Sequence, residues 1–151
     1  MSQANQGYSI KVLIFQTNPR ENEFFRVVEK TVWNFANGGT WSEVDGCDTL
    51  RMNGSGTSGA LRLLSNKGQG CIITLGVHNY KRWGDIITNL KDDQTACVIN
   101  PQYYSKDHPN MEKQRERQLT SYETTDLQGR KFSFEYVVSE GHELTVRVII
   151  A

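Results

Sequence analysis

A chain of 151 residues is one domain on the usual scale, long enough to bury a core without metal or disulfide staples. Its 17 basic and 17 acidic side chains cancel to a formal net charge of zero, so no global field draws it to nucleic acid or to an anionic membrane. A hydrophobic share of 37% with 13 glycines points to short strands and many turns, and argues against a helical bundle.

Met1 to Gly7 has neither the charged nor the apolar region of a signal peptide, and no apolar run reaches membrane-spanning length. The expectation is a cytoplasmic protein, a single domain over residues 1–151 with 1–7 as a flexible extension. Tyr8 to Thr17 sets Ile10, Val12 and Ile14 against Lys11, Leu13 and Phe15, the period of a strand with one deeply buried face, ended by Asn18 and Pro19. Phe24 to Ala36 fits a helical stripe in part, but its β-branched and aromatic content predicts strand. Asn37-Gly38-Gly39 is a turn, and Thr40 to Val44 begins the next strand.

Leu50 to Met52 leads into the glycine-rich stretch Asn53 to Gly59, after which Ala60 to Leu64 resumes an apolar strand. A turn at Asn66 to Gly68 precedes Cys71 to Val77, nearly continuous in apolar residues and so predicted to be a strand buried on both faces. Ile86 to Leu90 and Ala96 to Asn100 are further short apolar pieces, and everything up to Asn100 reads as strand or turn. Pro109 to Leu119 departs from this, with good helix formers behind a proline suited to a first turn. Phe132, Phe134, Tyr136 and Val138, then Leu144, Val146, Val148 and Ile150, alternate on either side of Glu140-Gly141-His142 as a closing hairpin. The pattern predicts a mainly β sandwich with one helical connection.

The chemistry concentrates between Leu75 and Leu90. Asn79, Asp85, Thr88 and the His78 imidazole offer hydrogen-bonding groups of several geometries, and Tyr80 and Trp83 offer flat faces, a mixture suited to a ligand covered in hydroxyls. A polar turn between strands uses the same residues for backbone reasons alone. Gly54, Gly56 and Gly59 match G-x-G-x-x-G, but the turn at Asn66 to Gly68 leaves no room for the helix that a dinucleotide site needs, and position 79 is asparagine instead of an acid. A glycine-rich bend still lets a ligand approach the main chain.

Ser55 lacks the flanking glycines of a nucleophile elbow, and no spacing supports a triad of Ser55, His78 and Asp85, so no enzyme is predicted. No histidine pair has metal-ligand spacing. Neither a metal nor a cofactor is implied. Cys47, Cys71 and Cys97 are odd in number, with no Cys-x-x-Cys pair, and are expected to be free thiols.

Asn37-Gly38-Gly39-Thr40-Trp41, Gly54-Ser55-Gly56-Thr57-Ser58-Gly59, Gly76 to Trp83, Asp85-Ile86 and Thr88-Asn89-Leu90 follow one another in order. With Phe24-Phe25, Val98-Ile99-Asn100, Tyr103-Tyr104, Gln118-Leu119, Tyr122 and Ile149-Ile150, they make the chain from Tyr8 to Ala151 resemble the fungal fruit-body lectins. The resemblance implies an actinoporin-like β-sandwich, two sheets joined by a short helix-loop-helix, assembled as a homotetramer that binds glycans. It implies one site for the Galβ1-3GalNAc disaccharide of the T-antigen, matching Ala36, Ser55, Gly56 and Asn79 with His78 beside them. A second site, for N-acetylglucosamine, matches Asp85, Ile86, Thr88 and Tyr122.

One position departs from the family pattern. The arginine that family members carry two residues after the helix-starting proline is Met111 here, and the loop Ser105 to His108 is about two residues longer than theirs. Weakened N-acetylglucosamine binding is therefore expected, unless Lys106, Lys113 or Arg115 reaches in. The fold analogy also raises a membrane-active alternative, but Met1 to Gly7 is short and polar, unlike an inserting amphipathic segment.

Overall fold

The computed structural model describes residues 7–17, 22–33 and 38–151. The expected extension before Gly7, the Asn18-Pro19 strand end, the 34–36 end of the second predicted strand with Ala36, and Asn37 of the following turn lie outside the described residues.

Among the described residues ten strands form two sheets. The six-stranded sheet has the order β3-β4-β1-β10-β9-β8, and the four-stranded sheet the order β2-β5-β6-β7. The strands are β1 (Tyr8–Gln16), β2 (Phe25–Trp33), β3 (Gly39–Val44), β4 (Cys47–Met52), β5 (Ser58–Ser65), β6 (Gly70–His78), β7 (Lys81–Thr88), β8 (Ser121–Thr125), β9 (Lys131–Val138) and β10 (Glu143–Ile150). Between β7 and β8 run α1 (Ala96–Ile99), a 3-10 turn (Asn100–Tyr104) and α2 (Pro109–Glu116).

The alternation read in the sequence is the burial of the sandwich. Ile10 and Val12 of β1 face Phe132, Phe134, Leu144, Val146 and Val148 of its own sheet and Leu61, Leu63, Ile73 and Leu75 of the other in one core. β1 and β10 run parallel, Ile10 beside Leu144 and Val12 beside Val146, which closes the first strand against the last. A second, smaller core of Ala60, Ile72, Trp83, Ala96, Ile99 and Tyr103 lies on the opposite face of the four-stranded sheet, under the helices. β6 therefore has apolar neighbours on both faces, which is why residues 71–77 are all buried and its sequence does not alternate. The packing there is close: a Cβ on Gly76 would stand 2.7 Å from the Ser58 Cβ and 2.8 Å from the Trp83 indole nitrogen.

Two elements differ from the sequence reading. Ala96 to Asn100, read with the strands, is helical. Its N-terminal turn is held from afar, because the Glu29 carboxylate on β2 accepts from the amides of Ala96 at 2.8 Å and Cys97 at 3.0 Å, beside a local cap by Thr95 on the Val98 amide. β8, not anticipated as a strand, is a polar edge strand whose side chains are exposed or half-buried. The Pro109 helix is where it was expected, and ends at Glu116.

Candidate functional site

The hairpin between β6 and β7 has a two-residue turn, Asn79 and Tyr80, both left-handed with φ of 48° and 65°. That is the geometry of a type I′ hairpin, in which asparagine is a favoured first residue. The bend of residues 53–57 is stitched beneath it. The Tyr80 amide donates to the Ser55 Oγ at 3.0 Å, the Gly56 amide to the Val77 carbonyl at 2.8 Å, and the Val77 amide to the Thr57 carbonyl at 3.1 Å. Ser55, Gly56, His78 and Asn79 are thereby gathered at one end of the sandwich, as the resemblance implies; Ala36 lies outside the described residues.

The Gly56 amide is already donated to Val77, so the residue offers no free N–H, only a half-buried main chain without a side chain, at φ 99°. The Asn79 amide nitrogen stands 3.4 Å from the His78 Nε2. His78 titrates below its usual value, because partial burial disfavours the cation and Arg115 repels it, against a smaller opposing pull from Glu116.

The clamp behind this turn has no counterpart in the sequence reading. The Gln118 side-chain amide donates to the His78 carbonyl at 2.5 Å, and the Arg82 guanidinium donates to the Gln118 carbonyl at 2.7 Å. Gln118 itself is left-handed at φ 50°. The end of the helical connection is thus tied to the hairpin that carries Asn79. Arg115 lies over the Tyr104 ring at 5.0 Å, and the Tyr104 hydroxyl donates to Ser58 at 2.9 Å.

The second group forms where the two sheets present edge strands, β7 and β8. Asp85 points to the helical side, where its carboxylate accepts from the Tyr103 hydroxyl at 2.6 Å. Burial raises the Asp85 pKa to about 6, while the Tyr103 hydrogen bond, the Ile86 amide and the charge of Arg117 pull it down. Tyr122 is close enough to raise the Tyr103 pKa, behind the larger effects of burial and of Asp85. The Ile86 side chain is 3% exposed and belongs to the inter-sheet core, so only its main chain is on offer. Thr88 is half-buried at the end of β7.

Met111 is half-buried and packs against the smaller core. Among the described residues the cation felt by Asp85 is Arg117; Arg115, one of the three cations left open as able to reach the second site, lies over the Tyr104 ring and its charge acts on His78. Asp85 pairs across the ladder with Thr74, four residues along the strand from His78, so the two do not form a catalytic relay with Ser55. Both groups can exchange hydrogen bonds with a polyhydroxylated ligand.

The family model for the fungal fruit body lectins matches residues 6–148. The Boletus edulis lectin is 51% identical over 144 residues, covering 95% of this chain and 99% of its own length. The crystal structure of the wild-type Xerocomus chrysenteron lectin superposes with a TM-score of 0.90 at 51% identity, over 97% of this chain and 100% of its own. A methionine-substituted form of that lectin gives a TM-score of 0.91 at 50% identity, over 97% and 99%. The hairpin, the bend beneath it and the helix-loop-helix that clamps them are therefore those of a lectin scaffold, and the chain belongs to the fungal fruit body lectin family.

Proposed function

We propose that this lectin binds Galβ1-3GalNAc and related galactose or N-acetylgalactosamine glycans at the Ser55, Gly56, His78 and Asn79 end of the sandwich, with Ala36 as a further contact. The observation that carries the reading is the left-handed Asn79-Tyr80 turn resting on Ser55, which presents a side-chain amide, a hydroxyl and an imidazole together beside a bare glycine. A sugar hydroxyl both donates and accepts, and these groups match both functions. Asp85, Ile86, Thr88 and Tyr122 form a second site for N-acetylglucosamine, weakened by Met111.

Each sugar hydrogen bond replaces one to water and adds only about 0.5–1.5 kcal/mol. Useful avidity then requires several sites in one assembly, which supports a homotetramer. Cross-linking of surface glycans on animals that feed on the fungus is the role such an assembly fits.

Calorimetry with both sugars tests the assignment. Asn79→Ala should abolish the disaccharide isotherm and leave the N-acetylglucosamine one; loss of neither, or of both together in a folded variant, overturns the two-site reading. Light scattering at micromolar concentration should give a tetramer mass, and a monomer mass refutes the assembly.

A further inference from the structure

A cavity of about 750 Å³ opens at the end of the sandwich that carries the Asn79 turn, lined by Tyr8, Arg51, Asn53, Glu140, His142 and Glu143 among others. Among the described residues, none of either candidate sugar site lines it. It nevertheless adjoins the first site on two sides. Asn53 precedes Ser55 by two positions in the bend, and Tyr8 has its pKa raised by burial and then by Tyr80, the neighbour of Asn79. Glu140, also in the lining, lies 3.8 Å from Arg82, the second residue of β7 after the turn. A smaller hollow of about 240 Å³ shares Ser9, Arg51 and Glu143 with the cavity and carries the groove on to Lys11 and Thr145, along the outer face of the six-stranded sheet.

The chemistry of the lining suits sugar. The His142 ring stacks on Tyr8 with centroids 4.3 Å apart and planes 25° from parallel, and its Nδ1 is 2.9 Å from the Gly7 carbonyl. The imidazole is thus fixed in place and partly exposed, a flat surface for the C–H face of a pyranose ring. Around it, the exposed side chains of Arg51, Asn53 and Glu143 make no hydrogen bond or ion pair among the described residues. Arginine only donates, carboxylate only accepts and the amide does both, so together they can satisfy hydroxyls of any orientation. Two carboxylates against one guanidinium in the main cavity disfavour an anionic occupant, and its volume lies within the roughly 300–1,000 Å³ of small-ligand pockets.

We propose that this groove is an extension subsite, which takes the uncharged sugar units attached to a disaccharide held at Ser55 and Asn79. It rests on the proposed first site for the placement of the disaccharide. The lectin then discriminates glycans by what lies beyond the terminal disaccharide, and extended neutral chains bind better than the disaccharide alone.

The test is calorimetry with Galβ1-3GalNAc and with neutral tri- and tetrasaccharides that extend it at either end. On the wild type at least one extension should bind about three- to tenfold more tightly, the scale of one or two net hydrogen bonds. In Arg51→Ala and in Glu143→Ala, both exposed and checked for unchanged melting, the ratio of extended to disaccharide affinity should fall toward one. A ratio of one for every extension on the wild type, or a ratio that survives in both variants, overturns the subsite. If the disaccharide fails to bind while a longer neutral glycan binds, and that binding is lost in Arg51→Ala but kept in Asn79→Ala, the groove stands and the first-site assignment falls. If nothing binds, both fall.

Discussion

The Tyr103 hydroxyl reaches from the helical connection to donate to the Asp85 carboxylate at 2.6 Å, on a strand at the edge of the four-stranded sheet. The pair is buried, with Asp85 at 5% exposure and Tyr103 at 0%, and it joins the lid of the smaller core to a proposed sugar site. Asp85 holds its proton to about pH 6 in the folded protein because burial outweighs its partners. In the unfolded chain it loses that proton near the ordinary aspartate value of about 3.9.

That difference has a definite sign. Where the folded state binds more protons than the unfolded state, stability falls as pH rises. The contribution of Asp85 is thus most favourable below about pH 4, falls away through about pH 6, and stays unfavourable at neutral pH by on the order of 2–3 kcal/mol. Asp85→Asn keeps an acceptor for Tyr103 and removes the charge. It should stabilise the fold by about 1–3 kcal/mol at pH 7.5 and by little at pH 4, as read from urea melts at both. A pH-independent difference would show that the carboxylate is not the origin. Wild-type affinity for N-acetylglucosamine should rise from pH 5 to 7.5, because only the ionised carboxylate makes charge-assisted hydrogen bonds to the sugar.

Gln118 acts at one remove, as a positioning residue for the Asn79 turn. Gln118→Gly deletes the side-chain amide while tolerating φ of 50°, so backbone strain does not confuse the result. Disaccharide affinity should drop about three- to tenfold, with faster amide exchange at Asn79 and Tyr80. Unchanged affinity together with unchanged exchange would leave Gln118 a surface residue without consequence.

The thiols separate by burial. Cys97 is exposed, Cys47 half-buried and Cys71 buried, and all three are free. Burial raises the Cys71 pKa far above that of an ordinary thiol, with a smaller push from Asp126, so its thiolate is scarce. A maleimide time course on the native protein should modify Cys97 first, Cys47 more slowly and Cys71 only with unfolding. Early labelling of Cys71 would mean that β6 opens locally far more readily than its burial indicates.

Why some of this was readable from sequence follows from where each residue's partners lie. The β1 alternation and the β9–β10 hairpin are written in their own residues, since one face meets the core and the other meets water. The turn at Asn66 to Gly68 and the asparagine at position 79 excluded a dinucleotide site on local grounds, and the strand β5 stands where that site's helix would run. The Ala96 helix was missed because the carboxylate on its first turn comes from Glu29, far away in the chain, while Val98 and Ile99 are poor helix formers on their own. Local chemistry marked His78, Asn79, Asp85 and Thr88 as suited to a hydroxyl-rich ligand, while their division between two sites and the assignment of Ala36, Ser55, Gly56, Ile86 and Tyr122 came from family likeness. Tyr103, Arg117 and Gln118 acquire roles only through contacts across the fold: Tyr103 and Gln118 sat within matching words that gave them no function, and Arg117 was one of the helix formers between Pro109 and Leu119.

Met111 provides the sharpest test of the second site. The family resemblance implies an arginine there; here a thioether is half-buried against the smaller core, whose Tyr103 holds Asp85. If that arginine donates to N-acetylglucosamine, its replacement removes a charge-assisted hydrogen bond of about 1.5–3 kcal/mol, or roughly ten- to a hundredfold in affinity. Met111→Arg should restore that factor for N-acetylglucosamine and leave the disaccharide isotherm alone, since the arginine stem can lie over the same apolar surface with its head in water. Arg117 is the competing donor, because its charge already acts on Asp85. Arg117→Ala measured beside Met111→Arg separates the two. Weak wild-type binding that Met111→Arg strengthens and Arg117→Ala barely changes means the lost arginine matters; tight wild-type binding that Arg117→Ala abolishes and Met111→Arg leaves alone means Arg117 has taken its place, and the expectation of a weakened second site is wrong.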